Sequence, residues 1–597
     1  MPVTQVRHRR LSSTIPDRWN LTDLVKEPVR QLEAHLSVID GQVTQIETAR
    51  NSLSPELSES EFGSILRLTE SVAENAARLG AYAYLWFSGN TKDGSARAFK
   101  ALVEERLTAL QNRLLFFELW WQSIDEKNAA RLLVTSGDIR YHLETIRRYK
   151  PHTLTEPEEK IINVKNVTGR SAVNTLYDVV TNALAFTLRV GGRKKVINRE
   201  GLMTYVRSPK AAMREAAYQE LYRVFSGQRD VLAETYKTLV NDWKSENVGL
   251  RRFASPLAAR NLGNDVPDSA VDMLLSVCAE NAALFQEYFR LKARICGIRS
   301  MSRYHIYAPH RTEVKKYAYA DAVKMVLEAY RGFSSRLADL AQQVFTDRHI
   351  DAPTRPGKLG GAYCYSVAPG LTPYVLLNYT GDARDIATMA HELGHAVHGM
   401  LAAHHSIFTF HSTLPLAETA SVFGERILSD ALMRQETNKK IRQGLLISQL
   451  DDIYATVLRQ AYFVRFERTA HQMIADGATG EQLAHTYLNE LRQQFGKAVK
   501  VPDEFRWEWL TIPHIYASPF YCYAYSFGNL LVLALYRTYQ QEGASFVPKY
   551  LELLATGGSD SPEHILRSVN VDMTSKAFWQ SGFSTITDMI RQLEATV

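Results

Sequence analysis

Cysteine is scarce in this chain. Four residues in 597, Cys278, Cys296, Cys364 and Cys522, are too few and too scattered to form a disulfide framework, which points to a reducing, cytoplasmic compartment. Long apolar runs are also missing. The best candidates, Leu114–Trp121 and Leu530–Tyr536, fall far short of the ~18 residues a membrane helix needs. Neither sign of charge dominates: 70 basic and 64 acidic residues leave a net +6, a mild bias that makes no case for nucleic acid. The start, Met1–Pro16, carries Arg7, His8, Arg9 and Arg10 but no apolar core, so it reads as a basic tail rather than a secretory signal. With 45% hydrophobic, 22% charged and 10% aromatic residues, disordered and fibrous classes are excluded. At this length two or more lobes are expected, and a cleft between lobes is a common place for a site. Monomer and homodimer are both open.

What is present reads mostly as helix. From Asn20 to Trp121 apolar residues recur at spacings of three and four, as in Leu32, Leu36, Ile39, Val43 and Ile46, with interruptions at Asn51–Pro55 and Ser88–Thr91. A second tract, Pro157–Leu188, leads into a short hairpin expected around Gly191-Gly192. A boundary placed there divides the chain into residues 1–195 and 196–597. Further helical stretches run over about Ser208–Val248 and Pro267–Arg348.

Asp351–Gly381 breaks the pattern. It is dense in glycine and proline and contains Tyr374–Tyr379, a strand-like run bounded by Pro373 and Gly381. Such a segment serves either as a small structural ribbon or as a place where a peptide backbone lies close.

The strongest motif follows directly: His391-Glu392-Leu393-Gly394-His395. Apolar residues at Ile386, Met389, Leu393, Val397 and Met400/Leu401 make Asp382–Ala403 a helix, so residues i and i+4 aim both imidazoles at one point. With 17 histidines in the chain, chance supplies this pattern only about 0.03 times. Two imidazoles suit Zn²⁺, and Glu392 can reach a metal-held water as general base. Gly394 inside the helix costs ~1 kcal/mol relative to alanine, which makes sense if something packs closely there. For a third ligand the metzincin pattern fails, since 398 is histidine and 401 leucine. His404, His405 and His411 are candidates in the following loop. Glu418 is the stronger one, near the first turn of a new helix after Pro415, with Glu425 two turns further along the same face to support a ligand.

These residues resemble the M3 family of zinc metallopeptidases, in particular its oligoendopeptidase F branch. The resemblance is carried in order by Trp19–Leu24, Arg355–Cys364, the His391–His398 helix with Glu418, and His514–Tyr525. It implies a mainly α-helical, neurolysin-like zincin fold: two helical lobes around a deep substrate channel, zinc at its floor, and a small β-sheet beside the zinc helix. It implies one Zn²⁺ held by His391, His395 and Glu418, Glu392 as general base and Glu425 behind a ligand. A glycine-rich loop including Gly360 and Gly361, and an edge strand including Tyr374, Leu376 and Asn378, would bind substrate backbone, with Tyr521 also on substrate. His514, Tyr516 and Tyr523 would donate to the oxyanion. In the thimet-type branch the corresponding histidine stands further ahead of its tyrosines, so the choice among Tyr516, Tyr521 and Tyr523 is open. An aromatic core stripe accounts for part of Phe520, Tyr521 and Tyr525, and Cys364 and Cys522 read as small buried residues. The implied activity is endopeptidase action on short unstructured oligopeptides. A C-terminal-trimming carboxypeptidase or dipeptidyl carboxypeptidase, and a silent peptide-binding protein, are the alternatives.

Overall fold

The computed structural model describes residues 15–310 and 316–597. The basic cluster Arg7–Arg10 lies outside the described residues. The described residues pack into two compact units, each assembled from three segments: residues 15–150, 316–432 and 538–570 in the first, and 151–310, 433–537 and 571–597 in the second. Both are mainly α-helical.

In the first unit, α1 (Leu32–Thr48), α2 (Glu59–Gly89) and α3 (Gly94–Ser123) form the helical tract that the periodicity predicts. The buried stripe of α1 is Leu32, Leu36, Ile39, Val43 and Ile46. α2 opens on a capping box, in which Ser58 accepts from the Glu61 amide and the Glu61 carboxylate accepts from the Ser58 amide. Phe116, Phe117 and Trp121 of the apolar run in α3 are buried, Trp121 stacking on Phe62 at 5.2 Å. That run therefore serves a helical core. Among the described residues no helix is long and apolar enough to cross a membrane.

In the second unit, Glu156–Thr168 and Arg170–Asn182 are helical. The expected helical tract stops there, because Phe186–Val190 is a strand, β1, paired antiparallel with β2 (Arg193–Ile197). Gly191 and Gly192, at φ +59° and +80°, supply the two left-handed positions of a tight hairpin turn. The expected tract Pro267–Arg348 is likewise divided. Helices Asp268–Glu280 and Ala282–Cys296 end at Gly297 with φ +64°, and among the described residues the next helix is α4 (Tyr319–Phe333), in the first unit. Leu530–Tyr536 is buried throughout, in the helix Tyr523–Glu542.

The first unit's sheet has three strands: β3 (Ile350–Pro353), β4 (Tyr363–Tyr365) and β5 (Tyr374–Tyr379), in the order β3-β5-β4. β5 runs parallel to β3 and antiparallel to β4. The glycine-rich loop before β4 is fastened to the C-terminal end of α2. Arg355 donates to the Gly89 carbonyl and forks onto Asp351 at 2.6 and 2.7 Å. The Gly357 carbonyl accepts from the Thr91 amide at 2.6 Å, and the Ser88 carbonyl from the Leu359 amide at 2.9 Å. Gly357 has φ +87°, and a Cβ there would stand 2.4 Å from the Asn90 side chain, so a larger residue would be strained by the left-handed backbone and would displace Asn90.

Candidate metal centre and active site

Helix α5 (Ala383–Leu401) begins on a capping box formed by Asp382 and Asp385. It buries Ile386, Met389, Leu393 and Val397 against the unit's interior, which turns His391 and His395 together, ring centroids 4.8 Å apart. After α6 (Leu414–Ala417) the chain passes Glu418 and enters α7 (Thr419–Gln435). Glu418 sits at the junction of the two helices rather than within the first turn of one. Its Oε2 stands 3.3 Å from His391 Nε2 and 3.6 Å from His395 Nε2. Among the described residues this trio, its donor atoms within 4.8 Å of one another, is the one group of three or more such side chains able to hold a metal.

Glycines make that approach possible. A Cβ on Gly394 would stand 2.6 Å from the Ala420 carbonyl oxygen, and one on Gly424 would stand 2.2 Å from the Tyr330 hydroxyl. Tyr330 of α4 donates to the Ala390 carbonyl. The mid-helix glycine thus lets α5 and the start of α7 meet backbone to backbone, which carries Glu418 to the histidines.

Charge is arranged around the trio. His391 Nδ1 is 2.6 Å from Glu425 Oε1, which leaves Nε2 to face Glu418. Ser421 Oγ donates to Glu418 Oε2 at 2.7 Å. Burial opposes charge on His391, yet the hydrogen bond to Glu425, with the fields of Glu425, Glu392 and Glu418, raises it to about 9. Burial lowers His395 to about 4. Burial raises Glu392 to about 7, with Glu418 and Glu425 adding to the rise and His391 and the Cys364 amide opposing it. Three carboxylates thus surround two imidazoles. Two nitrogens and a carboxylate oxygen converging on one point, with orienting hydrogen bonds behind them, form a donor set that fits a divalent cation of zinc's preferences.

A cavity of about 400 Å³ opens over the trio, its wall including Cys364, Ser366, His398, Phe410 and His411. Burial holds His398 down to about 3. Of the loop histidines weighed as third ligand, none joins the trio. His405 is engaged by Asp138 at 2.6 Å and the Ala555 carbonyl at 3.0 Å. His404 is exposed, near the Leu401 carbonyl. His411 stands on the cavity wall, where burial lowers it below the ordinary histidine range.

The sheet corrects the expected edge strand. β5 is the central strand, with β3 and β4 on its two sides. Tyr374 and Leu376 are fully buried, and the Tyr374 hydroxyl donates to the Asn20 carbonyl at 3.2 Å. Asn378 uses its amide to hold the Leu359 and Gly361 carbonyls at 2.9 and 2.8 Å. The strand lining the cavity at the sheet's edge is β4, Tyr363–Tyr365. Cys364 is half-buried on the cavity wall, and burial pushes its thiol well above the ordinary range. Gly360 and Gly361 are exposed, Gly361 at φ +80°.

The C-terminal motif lies in the second unit. Tyr516 is 1% exposed, stacks on Tyr177 at 4.0 Å and donates to the Leu232 carbonyl at 3.4 Å. Tyr523 is 0% exposed and accepts from Asn264 at 2.8 Å. Both are interior groups with partners, so neither hydroxyl lies open in this structure. Phe520 and Cys522 are buried as expected. Tyr521 and Tyr525 instead gather half-exposed around His514, with ring centroids 6.0 Å (His514–Tyr521), 5.9 Å (His514–Tyr525) and 5.3 Å (Tyr521–Tyr525) apart. Burial and the charge of Arg459 hold His514 below the ordinary histidine range.

Sequence reasoning missed Tyr330, Ser421 and the β4 edge. The one available signal was Gly424, a second mid-helix glycine directly before Glu425.

The family model for peptidase family M3 matches residues 204–585, and that for oligopeptidase F matches residues 120–186. The oligoendopeptidase F homolog of Borreliella burgdorferi is 25% identical over 573 residues, covering 94% of this chain and 95% of that protein. The plasmid oligoendopeptidase F of Lactococcus lactis subsp. cremoris is 26% identical over 600 residues, covering 98% of each. The crystal structure of oligoendopeptidase-F from Enterococcus faecium superposes with a TM-score of 0.72 at 22% identity, over 95% of this chain and 99% of that one.

Proposed function

The chain belongs to peptidase family M3 and is a metalloendopeptidase, and on that premise we propose that it is a zinc-dependent oligoendopeptidase cleaving internal bonds of short, unstructured peptides in the cytoplasm. The observation that carries this reading is the convergence of His391, His395 and Glu418, with Glu392 beside them on the cavity wall. The three would hold the metal. When bound, zinc supplies Lewis acidity that brings the pKa of a water toward ~7.

The remaining steps belong to side chains. Glu392 takes the proton of the attacking water as the tetrahedral carbon forms, then returns it to the leaving amine. Its 6% exposure and the Cys364 amide beside it fix its direction. Substrate backbone lies along β4, after Gly360 and Gly361, where the absence of side chains lets a second backbone approach. His514 keeps the role of transition-state donor, and the tyrosine role passes from Tyr516 and Tyr523 to Tyr521 and Tyr525, because these are the half-exposed hydroxyls of the motif. Four unpaired cysteines support the reducing compartment. The division between an N-terminal region (1–195) and a catalytic region (196–597) is supported by family matches that end at 186 and begin at 204.

Mass spectrometry of a defined mixture of peptides of about five to thirty residues tests this reading. Internal cuts are expected from the wild type only, and neither from Glu392→Gln nor after chelation. Loss of one or two C-terminal residues would reassign the enzyme to C-terminal trimming, and binding without products would make it a peptide-binding protein.

A further inference from the structure

In the second unit, the turn Ser518–Tyr521 joins the short helix bearing His514 to the helix bearing Tyr525. Its third residue, Phe520, has φ +61°, a left-handed conformation that a bulky residue adopts only when its surroundings impose it. Glycine would adopt it without strain, yet the chain places phenylalanine there.

Two groups hold the turn. Glu467, in the helix Arg459–Ala475, accepts the Phe520 amide through Oε1 at 2.8 Å. Arg260 donates from Nε to the Pro519 carbonyl at 2.9 Å. One helical turn beyond Glu467, His471 packs its ring on Phe520, centroids 4.6 Å apart. Glu467 is 0% exposed, and its Oε2 has no hydrogen-bond partner among the described residues. Burial raises it to about 8, opposed by the Phe520 amide and by the charge of Arg260. An interior carboxyl serving one backbone amide is a costly way to hold a loop for stability alone.

We propose that Glu467 is a positioning residue for catalysis: by capturing the Phe520 amide it holds the turn in its left-handed form, and so fixes Tyr521 and Tyr525 against His514. The inference rests on the reading that His514 and Tyr521 act in the reaction. A swing of Phe520 back to the right-handed region would redirect Tyr521, the next residue, while leaving His514 on its own helix. Displacements of that size are enough to cost an enzyme a large part of its rate.

The test is a double-mutant cycle on the zinc-loaded full chain, with kcat and KM read separately on one internally cleaved peptide. Glu467→Leu is expected to lower kcat about 10- to 30-fold with KM changed less than about threefold. Glu467→Gln, which retains an oxygen acceptor for the Phe520 amide, recovers most of that loss. Tyr521→Phe alone lowers kcat about 100-fold, as for removal of a transition-state donor. In the Tyr521→Phe background Glu467→Leu then costs no more than about threefold, because the residue through which it acts is gone.

Full additivity of the two substitutions, or an equal loss with Gln and Leu, overturns the positioning role. Unchanged kcat in Tyr521→Phe and His514→Gln overturns the underlying reading instead. Should Glu467→Leu fail to fold, Phe520→Gly decides. Glycine reaches the left-handed form without help, so in that background Glu467→Ala is expected to cost less than about threefold, and a loss as large as in the parent overturns the proposal.

Discussion

Lys292 and His391 are each held against carboxylates in an interior, one in each unit, and they differ in what their clusters leave over. The Lys292 ammonium donates to the Ile306 carbonyl at 2.6 Å and to the two Asp451 oxygens at 2.8 and 2.6 Å. Tyr288 completes Asp451 with a bond of 2.6 Å. One positive charge meets one negative charge, and every donor of the ammonium has an acceptor. Around His391, three carboxylates face two imidazoles, and the nitrogens and oxygen converge on a point instead of pairing off. A closed cluster of this kind fixes a fold, whereas a convergent one is suited to a cation. Burial of charge is common to both and does not tell them apart; the geometry of the donors does.

That contrast breaks most visibly at Glu392. Glu392→Gln is expected to lower kcat about 10³-fold with metal content unchanged by elemental analysis. Near-normal turnover would remove Glu392 from the chemistry. The closed cluster should respond in stability alone. Lys292→Met leaves Asp451 buried without its cation and is expected to destabilise the protein by about 3–5 kcal/mol. Denaturant unfolding measures that loss, while metal affinity per folded molecule stays the same. Glu425→Gln sharpens the comparison from the other side. Weakening the carboxylate behind His391 is expected to loosen zinc about 10- to 100-fold, measured by competition with a chromophoric chelator, with little change in the thermal midpoint of the metal-free protein. The last substitution, Gly394→Ala, reads the comparison in stability. Its methyl would meet the Ala420 carbonyl at 2.6 Å, so the helices must part at a cost of about 1–3 kcal/mol, read as a lowered thermal midpoint.

The helical fold and the metal trio were legible because each rests on local periodicity. The stripe from Leu32 to Ile46 is one face of one helix, and His391 and His395 are one turn apart. Glu418 and Glu425 could be found because Pro415 announces a new helix start and the two acids are spaced seven apart, although Glu418 itself sits just before α7. The sheet was less legible. A strand such as Tyr374–Tyr379 carries no record of its partners, and its central place depends on β3, more than twenty residues earlier. The placement of the tyrosines in the C-terminal motif was hidden for a related reason. Tyr521, Tyr523 and Tyr525 alternate as if on one face of a strand, but Phe520 reverses the chain just before them and a helix begins at Tyr523. Tyr523 is carried inward while Tyr521 and Tyr525 stay half-exposed. A left-handed phenylalanine leaves no glycine in the sequence to announce it.

Assembly of both units from interleaved segments governs how this protein comes off the ribosome. The first unit needs residues near its start and residues up to 570, and the second needs 151–313 together with 571–597. At about 5–20 residues per second, the 420 residues between 150 and 570 take about 20–80 s to translate. Throughout that interval the first helical segment is held without its closing one, so neither unit can finish folding as a nascent domain. A gene fragment ending at 313, 432 or 537 would encode two incomplete cores instead of one complete one.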